Sequence, residues 1–414
     1  MRETHWTRRR KLWIDVVICM ILRGHKLPIQ NALNKVFDYL GKLGSVPTPS
    51  AYSQARHKLK AELFLDLNST VAEDFYTLWG AEDAVKRWRG YRVLGVDATR
   101  LTVPDTPATR RFYTVQESFA PEAVCVQAML SVCFDVLNAI GLSAGLREVC
   151  AEKEFLVANH AGAFGRQDLL VLDRTYMDFG VLALLAARAG AFVIRAPRRG
   201  FARVNEFWAS DEHDRVVTLE VPSSARAFVR EHALAEAVRV RLVKVALETG
   251  EIEVLATNLF EASGVTADEL KAVYWMRWGV ETYFGHLKRI FEIERIRSEQ
   301  VRPIEQEVYG VVFLATMESV LSKQADEEVA EQSQVRGNKH LKQVNHSVSY
   351  SAMVDRAMDL ICDTRLSERE VYERLHAMFK TNPSSARPGR AVARRRVSWG
   401  RQLRHHRYRK RLIV

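Results

Sequence analysis

The sequence predicts a mixed α/β fold, a strand-rich core held between helical segments, and three observations carry that expectation. Residues 1–88 repeat apolar side chains at helical spacing, residues 91–196 mostly show the period of buried strands, and from 267 onward the spacing is helical again. A chain of 414 residues is too long for one ordinary core. The pattern divides it into a helical part at 1–88, a core at 89–300 with a β-rich insertion at about 198–258, a helical part at 301–380 and a tail at 381–414.

In the first part helices are expected at roughly 10–23, 28–43, 50–60 and 61–80. The stretch GSVPTPS at 44–50 ends the second and starts the third, with Thr48 as N-cap and Pro49 at the first helical position, where a missing N–H is tolerated. The third helix, SAYSQARHKLK, would expose Gln54, Arg56, His57 and Lys58. A recognition helix offers such groups to phosphates and base edges, and so does any amphipathic surface helix.

The core opens with YRVLGVDATRLTV, read as an apolar strand ending at Asp97 and, after a tight turn, a second strand to Val103. Residues 123–148 are rich in Val, Ala, Leu, Cys and Phe and are interrupted at 135–138, as in a hairpin of buried strands. Residues 150–163 look helical, and DLLVLDRTY at 168–176 is a buried strand with Asp173 at its carboxyl end. A helix at 179–189 precedes a strand at 192–196. In the insertion, strand signals recur in VVTLEV and in the pair VRVRLVKVALE and EIEVLATNL, joined around Thr249 and Gly250. Beyond the core, 304–323 reads as an amphipathic helix, 324–347 is polar and 350–379 is helical again.

The most informative stretch is ADELKAVYWMRWGVETYFGHLKRIFEI at 267–293. With no Pro, Thr266 as N-cap, and Asp268 and Glu269 in the first turn, it reads as one long helix. At about 100° per residue, Tyr274, Arg277, Glu281 and Lys288 fall within an arc of roughly 60°. Ala272, Met276, Tyr283, Leu287 and Ile290 fall on the opposite, core-facing side. An Arg277–Glu281 pair alone would suit any solvated helix. Lys288, however, stands seven positions past Glu281, and Trp278 and Phe284 border the line where further charges would be expected.

Tyr, two residues, Arg, three, Glu, six, Lys: this spacing resembles the signature of the DDE transposases of insertion sequence family 4. The Ser-Gln-Ala-Arg of 53–56, followed by a basic pair, resembles the stretch ahead of that family's first acid. The order of strands, acid-tipped strand and acid-bearing helix matches a ribonuclease H-like fold, and a β insertion is a device the family uses. The resemblance covers about 52–293. It implies Asp97, Asp173 and Glu281 as catalytic carboxylates holding two Mg²⁺ ions, for which Mn²⁺ can substitute. Asp97 would bridge both ions, with Asp173 on one and Glu281 on the other. Tyr274, Arg277 and Lys288 would hold backbone phosphates; Arg174, directly after the second acid, would join them or form a salt bridge. Trp208 in the insertion could stack a flipped base. The resemblance further implies cut-and-paste transposition of a bacterial element, with terminal inverted repeats and target DNA as partners, residues 1–88 binding DNA, and a homodimer bridging two ends. A domesticated descendant that binds DNA without the chemistry would carry the same fold.

The remaining features bound this reading. The chain holds 61 basic and 50 acidic residues, net +11, and eleven cations without one acid lie between Arg387 and Arg411, so the tail carries the whole excess. With Trp399 and Tyr408 among them, it suits phosphate contact with some base stacking, or is an unspecific basic tail. Cys19, Cys125, Cys133, Cys150 and Cys362 are widely spaced with no CxxC pair, which fits unpaired thiols in a reducing compartment. The apolar run at 12–22 contains Asp15 and is far shorter than the roughly 20 residues that span a bilayer. A cytoplasmic, nucleoid-associated protein is expected. GLSAG at 141–145 spells a GxSxG nucleophile motif, but residues 146–148 continue as strand, where a Ser143 hydrolase needs a helix. No Cys/His set has zinc-ligand spacing, and no Walker loop occurs.

Overall fold

The computed structural model describes residues 12–24, 28–80, 84–116, 124–362 and 366–386. The basic stretch from Arg387 onward lies outside them. The apolar runs of the core become one nine-stranded sheet. Its strands are β1 Arg92–Val103, β2 Thr114–Gln116, β3 Cys125–Asp135, β4 Ile140–Glu148, β5 Asp168–Leu172, β6 Ala191–Ala196, β7 Asp214–Glu220, β8 Ala237–Ala246 and β9 Ile252–Thr257. β3 runs antiparallel to both β1 and β4, whereas β5 runs parallel to β1 and β6 parallel to β5. The order β4-β3-β1-β5-β6 is the expected ribonuclease H-like arrangement.

The expected turn after Asp97 does not form. β1 runs straight through to Val103, because β3 is long enough to pair every residue from Leu94 to Val103 and so satisfies their backbone groups. The insertion does not stand apart from the core either. β9 pairs antiparallel with β6, then β8 with β9 and β7 with β8, extending the same sheet by three strands.

Alternation along β1 sorts its side chains onto two faces. Leu94 and Val96 pack with the almost wholly buried helix Phe179–Arg188, and Val93 packs with the helix Ala267–Trp275. A third cluster gathers Leu101, Val103, much of β3 and the helices Ile14–Leu22, Leu63–Leu78 and Val301–Val335. The last of these has 35 residues and runs beyond the expected 304–323, since Ala325, Val329 and Ser333 stay buried at four-residue spacing within the polar stretch. Cys19 Sγ lies 3.5 Å from Cys362 Sγ, so helical segments from both ends of the chain meet. All five cysteines are free thiols, four of them buried.

One exposed residue of the sequence reading is corrected. In the helix Pro49–His57, capped by Thr48 as expected, Gln54 and His57 are exposed but Arg56 is only 5% accessible. Its guanidinium donates to Gln306 Oε1 and to the Pro303 carbonyl, both at 2.7 Å, and pairs with Glu307 at 3.1 Å. The helix Val301–Val335 covers it, so Arg56 braces two helices and is not offered to a partner. Among the described residues no helix is long and apolar enough to cross a membrane.

Candidate active site

Sheet register places the first two acids. β1 pairs with β5 in parallel as far as Gly95 and Val171. Asp97 and Asp173 each lie two residues further on, just past the last paired residues of the two neighbours, Asp97 within β1 and Asp173 directly after β5. Asp173 caps the turn Arg174–Tyr176 and accepts from Thr175 N at 2.6 Å and Thr175 Oγ1 at 2.5 Å.

The third acid arrives on a helix that is broken, not continuous as expected, and that ends at Arg289. The segments are Ala267–Trp275 and Trp278–Arg289. Between them the N–H groups of Met276, Arg277, Gly279 and Val280 reach back three residues, not four, a tightening that no Pro announces. The second segment then lies directly on β1. A Cβ on Gly95 would meet Val280 Cγ2 at 2.3 Å, so only glycine permits this approach, and Glu281 follows next to Val280.

The polar line is also turned inward. Tyr274 and Arg277 are 7% and 8% accessible, and Ala272, expected in the core, is exposed. Trp275 and Trp278 occupy the outer surface with their rings stacked 6.3 Å apart. The first segment packs on the sheet through Leu270, Val273 and Tyr274 and the second on β1 through Val280, which leaves Arg277 turned toward Asp97. Arg277 pairs with Glu281 at 3.1 Å and Asp97 at 3.8 Å, and its Nε is buried with no hydrogen-bond partner among the described residues. Lys288 donates to the Arg100 carbonyl at 2.8 Å and pairs with Glu294 at 3.4 Å. Arg174 is exposed and forms no ion pair among the described residues. Trp208 donates to the Pro197 carbonyl at 3.1 Å under the Arg198 guanidinium, away from this group of contacts.

Burial pushes the Asp97 carboxyl up to about 6, with the nearby charges of Asp173 and Glu281 adding to it and the Ala98 N–H and Arg277 opposing it. A fourth acid, which the sequence reading missed, shares this field. Glu152 Oε2 lies 3.1 Å from Thr175 Oγ1, and its carboxyl is pushed up to about 7 by burial, then by Asp97 and Asp173. Glu152 opens the helix Glu152–Phe155, inside the stretch 150–163 expected to be helical, where the pattern does not tell which side chains face the acids. Burial likewise raises the Tyr274 phenol to about 12. A cavity of about 540 Å³ opens beside the acids, lined by Ala98, Arg100, Glu152 and Thr175. It shares Lys153, Met177 and Asp178 with a larger one of about 810 Å³ bordered by Phe179, Phe201 and Phe228.

Ser143 lies inside β4, which continues to Glu148, so the strand-to-helix turn of a serine nucleophile is missing. The donor set at Asp97, Asp173 and Glu281 is carboxylate oxygen, which suits a hard divalent ion. Among the described residues no group of three or more His, Cys, Asp or Glu is placed so that it could hold a metal ion.

The strand order is that of a ribonuclease H-like fold, and its candidate site is a group of carboxylates. The family profile described as "Transposase DDE domain" matches residues 88–317, more than half of the chain. The chain belongs to that family; it is a DNA transposase, of a family of nucleases and strand transferases that generally use divalent metals. No curated protein sequence matches it. Similar solved structures include the cryo-EM structure of a piggyBac transposase synaptic complex with hairpin DNA. That match has a TM-score of 0.40 and 8% identity, and covers 91% of this chain and 76% of the other.

Proposed function

We propose that the chain is the transposase of a bacterial insertion sequence of family 4, which cuts the ends of its element and joins them to target DNA. One observation carries the reading: the β1–β5 register sets Asp97 beside Asp173, and Arg277 links Asp97 to Glu281. Asp97, Asp173 and Glu281 would hold two Mg²⁺ ions, or Mn²⁺, which when bound supply a polarised phosphate and an activated attacking oxygen. Attack by water frees a 3′ hydroxyl, and that hydroxyl then attacks the target.

The chain's own residues align the DNA. Arg277 and Lys288 exchange their present partners for phosphates of the end, Arg through its planar fork and Lys as a point charge. Tyr274 adds a hydroxyl donor, and Arg174 stands exposed beside the second acid. Trp275 and Trp278 offer a stacking surface next to them. Two copies, one per end, would work as a homodimer.

The test is incubation of the protein with labelled DNA bearing the terminal repeat, in Mg²⁺ or EDTA, beside Glu281→Gln. Nicking at the repeat boundary should need the metal. It should fall in the variant by more than the roughly 10–100-fold that loss of an outer metal-site partner causes. Equal cleavage by the variant would overturn the reading, and specific binding without any cleavage would mark a DNA-binding descendant.

A further inference from the structure

Behind Asp97 runs a buried chain of hydrogen bonds that the sheet itself does not require. Ser143 Oγ lies 2.7 Å from His160 Nδ1, and His160 Nε2 lies 2.9 Å from Ser131 Oγ. Ser131 Oγ donates to the Asp97 carbonyl at 3.1 Å. Ser131 and His160 are fully buried.

Proton inventory gives the chain one direction. The Asp97 carbonyl can only accept, so Ser131 spends its single proton there and must accept from His160 Nε2–H. A neutral ring protonated on Nε2 leaves Nδ1 as acceptor, and the Ser143 hydroxyl donates to it. Burial keeps the ring neutral, lowering it to about 3. Every donor is used once and one tautomer is selected.

The end of the chain is the peptide between Asp97 and Ala98. Its carbonyl is held by Ser131, and its N–H, on Ala98, donates to Asp97 Oδ1 at 2.8 Å. Fixing that peptide plane therefore fixes the carboxylate. His160 reaches the position through a π-helical turn, Leu156–His160, an irregularity that is frequent at functional sites. The same turn brings Asn159 onto Gly145, where a Cβ would meet Asn159 Cγ at 2.6 Å.

We propose that His160 is a positioning residue, which through Ser131 locks the Asp97 peptide and aims the Asp97 carboxylate for divalent metal binding. The inference rests on the function proposed above. Its test uses the full chain with Ser131→Ala, His160→Ala and His160→Gln. The glutamine amide carries an acceptor and a donor at about the separation of the two ring nitrogens, so it can restore both bonds. Mn²⁺ binding is followed by electron paramagnetic resonance without DNA, alongside melting temperature, end binding in EDTA, and nicking against Mn²⁺ concentration.

Ser131→Ala and His160→Ala should raise the half-saturating Mn²⁺ concentration roughly 10-fold or more, as loss of an outer partner does. End binding in EDTA should stay at the parent level, and His160→Gln should return most of the metal affinity. If His160→Ala does not fold, Ser131→Ala and His160→Gln still decide. Parent-like Mn²⁺ affinity in Ser131→Ala, with a parent that binds Mn²⁺ and nicks, would overturn the relay alone. A parent that neither binds Mn²⁺ nor nicks would overturn the proposed function and the relay with it.

Discussion

Asp97 is held where its own charge is disfavoured. Its side chain is only 20% accessible, and its carboxyl is raised from 3.8 to about 6, first by burial. A shift of about two units is on the order of 3 kcal/mol against the ionised form. Between those two values the folded, metal-free chain keeps a proton that the unfolded chain has lost. The folded state thus binds more protons, and this group makes stability fall as pH rises through that window. Asp97→Asn should therefore stabilise the metal-free protein at pH 8 by ~1–3 kcal/mol, and the gain should roughly halve at pH 5. Thermal melting at the two pH values checks this, and an equal gain at both would place its origin outside the charge. Asp97, Asp173 and Glu281 stand out in the sequence because Asp173 ends a strand run, Glu281 sits at fixed helical spacing and Asp97 follows an apolar run, although β1 continues past it. Glu152 and His160 do not, because the helical reading of 150–163 cannot show that a π turn brings His160 behind Asp97 or that Glu152 faces the acids. Arg56 was misread as exposed for another reason: its cover, Gln306, lies 250 residues away.

At the scale of elements, the contact between β1 and the helix Trp278–Arg289 decides where Glu281 stands. Gly95 lies on a strand bonded on both edges, and a methyl group added there meets the β-branched Val280 of the helix, so neither side yields easily. Gly95→Ala should cost about 1–3 kcal/mol of stability, the usual range for overpacking. It should also lower nicking more than end binding by lifting Glu281 from Asp97, and Val280→Ala in the same chain should recover both. Parent-level nicking in Gly95→Ala would show that this approach does not set the acid. Sequence periodicity reached the helix but not its break at Met276 and Arg277, since a change from four-residue to three-residue bonding needs no Pro or Gly at the break itself. The strand through Asp97 was likewise cut short, because only a partner of β3's length reveals that the ladder continues.

For the molecule as a whole, the sheet positions Asp97 and Asp173, a helix on β1 brings Glu281, and helices from both ends of the chain pack around Val301–Val335. The net charge of +11 equals the cations between Arg387 and Arg411, which leaves the rest formally neutral. Deletion at Arg387 should therefore flatten the dependence of DNA affinity on salt, each lost phosphate contact removing about 0.9 from the logarithmic slope. An unaltered slope would assign the affinity to the folded part. The central claim, that Asp97, Asp173 and Glu281 form one metal-dependent centre, is tested most directly by replacing each in turn with Cys. Thiolate is a softer ligand than carboxylate and suits Mg²⁺ poorly. Nicking at the terminal repeat is then compared in Mg²⁺ and in Mn²⁺. All three variants should lose nicking in Mg²⁺ and partly regain it in Mn²⁺; parent-rate nicking in Mg²⁺ by the Asp97→Cys and Asp173→Cys proteins would rule out a shared metal centre.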